Sequence, residues 1–230
     1  MSRNNKNVLG NQRGKIGGIV GRVVDGVQMY SAYTDSVKNP RTRKQTAHRA
    51  RFSEAVALGK VMTGMLNVGY RNTAAKQKLK SPFNLFIREN MQCFHYDEAS
   101  HQVAVDYEQV RLSAGAVPKV VFGSATFTEA LKVTVPFGSN MDMPGAAEED
   151  SVYVVVYSPE LGMGAVAIAA RSAETATVEL PQVWGGQTVQ VWGFVCTAVE
   201  ASVQVPLYGI TLRPGDCSET VYVGSGEVAR

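Results

Sequence analysis

Apolar positions follow two different periods in this chain. Between about residues 42 and 95 they recur every three or four positions, the spacing of one helix face; from residue 99 onward they alternate with polar ones, the spacing of half-buried strands. Ahead of both lies "GIVGRVVDGVQMYSAY", residues 18–33, where Asp25-Gly26 separates two β-branched runs. Asp and Gly tolerate the positive φ that both central residues of a type I′ turn require, so a hairpin with strands at about 16–24 and 27–33 is expected. Glycines 14, 17, 18 and 21 lie inside that strand pattern, with no Lys-Ser/Thr behind them, and read as a close backbone approach or a strand bend rather than a phosphate loop.

Thr42 and Gln45 have the spacing of a capping box and predict a helix over about 42–66, closed near Gly69. At 100° per residue, Ala55, Leu58, Met62, Met65 and Leu66 fall on one stripe, and Lys44, His48 and Arg51 lie on that same stripe one to three turns earlier. Such a helix can dock its second half on a core, while its first half has no face that wants burial. Ser81-Pro82 supplies the N-cap and first-turn proline of a second helix, about 82–95, with Phe83, Phe86, Ile87, Asn90, Met91 and Phe94 on its inner stripe.

The remaining chain reads as about seven short strands with turn signals every 8–12 residues. "SVYVVVYSPELGMGAVAIAAR" predicts a hairpin about residues 158–162, and "TATVELPQVWGGQTVQVWGFVCTA" a second one turning at 184–187. Trp192 is the expected large core residue. The fold class expected is therefore α+β: an N-terminal β-hairpin and two helices, then an immunoglobulin-like antiparallel β-sandwich. By segment this gives a basic arm at 1–14, hairpin plus helical basic region at 15–98, connecting strands at 99–118, and the sandwich at 119–230.

Charge changes the picture more than composition does. Residues 1–90 carry 17 Lys or Arg against 4 Asp or Glu, a balance of +13; residues 91–230 carry 6 against 16, a balance of −10. The densest stretch, "KNPRTRKQTAHRARF" at 38–52, holds Lys38, Arg41, Arg43, Lys44, Arg49 and Arg51 with His48 and no acid. Cations at a helix N-terminus oppose the macrodipole by about 0.3–1 kcal/mol each. An anion supplied from elsewhere would offset that cost, either nucleic-acid phosphate or the carboxylates of a neighbouring subunit. Glu148, Glu149 and Asp150 form a run of acids and are the candidate acidic counterpart.

Catalytic patterns are missing. The sequence has no G-x-S-x-G elbow, no H-E-x-x-H and no phosphate loop, and three histidines leave little acid–base capacity, so no enzyme and no cofactor is expected. Cys93, His95, Asp97 and His101 cluster within nine residues but match no ligand spacing, and no metal is assigned to them. Cys93, Cys196 and Cys217 are odd in number and fit buried thiols in a reducing compartment, with a Cys196–Cys217 bridge as the lesser alternative. No apolar h-region follows the first residues and no apolar run approaches a membrane span, so synthesis in the cytoplasm and no membrane partner are expected.

The stretches "GKIGGIVGRVVDGVQMY", "KNPRTRKQTAHRARF", "SPFNLFIREN", "DSVYVVVYSPELG", "AARSAETATVELPQVWGGQTVQVWGF" and the closing "VYVG" resemble a family of small proteins of gut and environmental Bacteroidota and of elements that move among them, catalogued as a domain of unknown function. The Asn-Pro-Arg-Thr-x-x-Gln segment at 39–45 carries most of that resemblance; similar members often read Pro-Ala where this chain has Arg43-Lys44. The resemblance implies a hairpin and helices followed by an immunoglobulin-like sandwich, and brings no reaction or cofactor. Two functions follow from the residues: a structural or assembly protein, in the form of a phage or mobile-element virion component that self-associates through its basic half, and a non-specific nucleic-acid binder using the 38–52 helix.

Overall fold

A computed structural model of the 230-residue chain describes residues 12–36, 41–79, 81–198, 203–205 and 210–230. It is an α+β protein whose contacts gather into two units, Met1–Thr42 and Arg43–Arg230.

The described part of the first unit is a three-stranded antiparallel sheet, β1 (Gly14–Ile16), β2 (Ile19–Val24) and β3 (Val27–Ala32), in the order β1-β2-β3. The expected hairpin is present: Asp25 and Gly26 turn with φ of 50° and 78°, as a type I′ turn needs. The extra strand arises because Gly17, at φ 58°, makes a tight turn where a close backbone approach or a bend was expected, and folds Gly14–Ile16 back on β2.

The second unit opens with four helices, α1 (Arg43–Val61), α2 (Thr63–Gly69), α3 (Arg71–Lys76) and α4 (Pro82–Asn90). The single helix expected to 66 is broken at Met62, although i→i−4 bonds run through the break from Met62 to Leu58 and from Leu66 to Met62. The Thr63 hydroxyl donates back to the Gly59 and Lys60 carbonyls, at 3.1 and 2.8 Å, a contact that bends helices. Ser81 caps α4 by accepting the Asn84 N–H at 3.2 Å, with Pro82 in the first turn, as expected. That helix is shorter than expected: a 3-10 turn at Met91–Cys93 leads into β4 (Phe94–Tyr96), which pairs with β5 (Val103–Val105).

The remaining strands are β6 (Val121–Phe122), β7 (Lys132–Gly138), β8 (Ser151–Ser158), β9 (Met163–Ala170), β10 (Thr175–Glu179), β11 (Thr188–Cys196), β12 (Val203–Val205), β13 (Ile210–Leu212) and β14 (Val221–Glu227). They form a sheet ordered β10-β7-β6, a sheet ordered β14-β11-β8-β9, and a β12-β13 pair. The β8–β9 hairpin is as expected. The second expected hairpin is not: β10 pairs with β7 and β11 with β8, so the chain crosses between sheets at 180–187. Trp184, buried in a 3-10 turn after Pro181, anchors that crossing in the core.

Alternation explains the three layers. Val133 and Val135 of β7, Ala176 and Val178 of β10, Val152, Val154 and Val156 of β8, and Val189, Val191 and Val195 of β11 fill the space between the two sheets. The opposite side chains of the four-stranded sheet, Val155, Tyr157, Trp192 and Phe194, pack instead on Leu58, Met62, Leu66, Leu85 and Phe86 of the helices. The helices, grouped with the hairpin by sequence, thus share a core with the sandwich. Burying a side chain of this size contributes about 1.5–3 kcal/mol. Trp192 is fully buried, as expected, and its indole N–H donates to the Tyr107 carbonyl at 3.0 Å.

Candidate interaction surfaces

The basic segment divides by burial. Lys38 lies outside the described residues. Arg41 is exposed, and Arg43, Lys44, His48 and Arg49 are exposed along the first two turns of α1, which hold no acidic residue. Arg51 differs: it is half-buried, and its Nη2 donates to the Met91 carbonyl at 2.7 Å, at the C-terminal end of α4 where the helix dipole favours a cation. Lys76, further along the basic half, meets Asp216 at 3.1 Å, beside an Asn72 side-chain bond to the same carboxylate at 2.9 Å. These contacts tie α3 to the turn before Cys217.

Beside the exposed cations, a groove of about 470 Å³ is lined by His48, Arg49, Phe52, Ser53 and Val56. Phe52 is 46% exposed there, a large apolar ring set among positive charges.

The acidic run also divides. Glu148 and Glu149 are exposed, but Asp150 is fully buried. Its carboxylate faces the fully buried Arg171 guanidinium at 3.3 Å and accepts the Ala147 and Ala198 N–H groups at 3.0 and 3.3 Å. Arg171 also donates to the Ser139 carbonyl at 3.1 Å and to that of Pro118. Burial pushes the Arg171 cation's pKa down, and Asp150 partly restores it. Asp150 is therefore a structural carboxylate and not part of a surface counterpart; the sequence places it beside two surface acids without revealing that the chain turns inward there.

The Cys93-to-His101 cluster is dispersed. Cys93 is buried in the helix-side core, where burial raises its thiol pKa. The Tyr96 hydroxyl pairs with His101 Nδ1 at 2.7 Å, and Asp97 accepts from the Ser100 hydroxyl and from the Ala99 and Ser100 N–H groups. No three His, Cys, Asp or Glu side chains converge as a metal site among the described residues. The expectation of three thiols is overturned: Cys196 and Cys217 are disulfide-bonded, because β11 and the turn before β14 bring them opposite one another as a bridged antiparallel pair.

The N-terminal sheet exposes apolar side chains on both of its faces. Register puts Ile16, Ile19 and Tyr30 on one face and Val24, Val27 and Met29 on the other, and each is 36–51% exposed. In the second unit, β9 is an edge strand whose Val166 and Ile168 are exposed at 38% and 58%. Among the described residues no helix is long and apolar enough to cross a membrane.

The fold and surfaces define an α+β protein with a helix-backed β-sandwich and exposed apolar and charged surfaces. The chain belongs to a family of unknown function, DUF6266, whose profile matches residues 11–206. No curated protein and no solved structure matches it.

Proposed function

We propose that this is a non-enzymatic structural protein that self-associates through its basic N-terminal half, as a virion component of a phage or mobile element of Bacteroidota. The observation that carries the reading is the β1–β3 sheet: three short strands with apolar residues exposed on both faces. A sheet of this size needs a buried hydrophobic face to be stable, and an outside surface would supply it. The sandwich serves as the body; its strand order, β10-β7-β6 facing β14-β11-β8-β9, suits an immunoglobulin-like arrangement. The Cys196–Cys217 bridge suits a protein that ends outside the reducing cytoplasm after synthesis there.

Light scattering and negative-stain microscopy of the full chain across a salt series test the reading. Particles or filaments that dissociate as salt rises are expected; a monomer at low salt and high concentration would overturn it. A second reading, non-specific nucleic-acid binding, is favoured by the exposed Arg43, Lys44 and His48 next to Phe52. It requires log K to fall with log salt by about 0.9 per duplex phosphate contacted.

A further inference from the structure

Edge strands expose unpaired N–H and C=O groups, and proteins protect them with charge, proline, bulges or shortness. Among the described residues, the strand edges are protected in that way with two exceptions. β1, β4, β5, β12 and β13 are three residues long and β6 is two; β10 carries Glu179, and β14 carries Glu227 and contains a register shift opposite Val191/Trp192. The exceptions are β3, "VQMYSA", and β9, "MGAVAIAA": six and eight residues, with no charge and no proline in either. Each is an edge strand, and each presents large apolar side chains to solvent, Val27, Met29 and Tyr30 on β3 and Met163, Val166 and Ile168 on β9.

We propose that β3 of one copy adds to β9 of a second copy, extending that copy's four-stranded sheet with its N-terminal sheet. This inference rests on the self-association reading above and names its two surfaces. Charge supports the choice of occupant. Residues 1–42 carry seven Lys or Arg against two Asp or Glu. Between Lys132 and Arg171 the chain has no Lys or Arg, and the exposed Asp142, Glu148, Glu149 and Glu160 belong to that stretch. The N-terminal unit, with a balance of +5, is thereby matched to a sheet edge that belongs to an acidic stretch of the chain. Main-chain pairing would give affinity and the apolar side chains would give fit, as in other cases of strand addition. Because the two patches differ, the contact is heterologous, and repeating it from copy to copy yields a ring or a filament.

The experiment uses the full chain and three single variants: Ser31→Lys in β3, Ile168→Lys in β9, and Val121→Lys on β6 as a control at an equally open apolar position. Circular dichroism and an intact Cys196–Cys217 bond establish folding. Size is then read by light scattering at low salt. Wild type and Val121→Lys are expected to assemble, and Ser31→Lys and Ile168→Lys each to lose the large species. Mixing Met29→Cys with Ile168→Cys under oxidising conditions is expected to give a covalent two-chain product in excess of either variant alone. Assembly that survives both edge lysines would overturn the β3–β9 contact while leaving self-association standing. Monomeric wild type would remove the self-association reading and this contact with it. A bond formed at high dilution within one chain carrying both cysteines, without assembly, would overturn the second copy as occupant.

Discussion

Asp150 and Arg171 form an ion pair from which water is excluded on both sides, 3.3 Å apart with neither side chain exposed. The guanidinium joins three segments: it reaches the Pro118 and Ser139 carbonyls as well as the carboxylate at the start of β8. Removing one member leaves the other charge buried without compensation, which costs about 3–5 kcal/mol. Asp150→Ala is therefore expected to lose that much in urea denaturation. Glu149→Ala, next in sequence and exposed, should stay within about 0.5 kcal/mol of wild type.

The disulfide should contribute to stability through the unfolded chain. Cys196 and Cys217 are separated by 21 positions, and closing a loop of that size is worth about 3 kcal/mol in the chain-entropy treatment. Adding reductant should lower the thermal midpoint of wild type. The Cys196→Ala/Cys217→Ala double variant should start from the lower midpoint and not respond to reductant.

Alkaline pH should unfold the helix-side core. Burial, the largest cause in each case, raises the pKa of Tyr70, Tyr107 and Tyr157 above the ordinary phenol value; Tyr107 is pushed up to about 12. A free tyrosine ionises near pH 10, so the unfolded chain releases these protons first and rising pH favours unfolding. Stability from these groups is complete below about pH 10 and is lost as pH climbs through the native values. Thermal melts from pH 8 to 12, followed by circular dichroism and tyrosinate absorbance, should show the two signals changing together. Tyr107→Phe should flatten the decline.

Gly193 leaves room for an aromatic ring. A Cβ built there would lie 2.2 Å from Phe122 Cζ, so the ring of β6 sits directly over the β11 backbone, and it packs edge-on against Phe137 at 6.1 Å. Gly193→Ala must push Phe122 aside, an overpacking cost of about 1–3 kcal/mol measurable by urea denaturation. The variant should also increase exchange of amide hydrogens in β6.

Local chemistry was legible wherever a few neighbouring residues decide the outcome. Asp25-Gly26 set the turn between β2 and β3, Ser81-Pro82 began α4, the Ala55–Leu66 stripe faced the core, and Trp192 was central. Pairing between distant strands was not legible, because an alternating strand fits any sheet that offers an apolar face. "TATVELPQVWGGQTVQVW" reads as a hairpin until β7 and β8 claim its two strands for opposite sheets. Likewise, an acidic triplet reads as surface until the chain entering β8 turns Asp150 inward to Arg171.

Sequence alone determined the division of charge, the period of each segment and the turn chemistry, since these depend on side-chain order over a few residues. Tertiary structure alone decided which cysteines meet, which cations find a carbonyl or carboxylate in their own chain, and which strands remain at an edge. Those outcomes depend on which segments become neighbours across a hundred residues, and the burial of a shared core makes that choice.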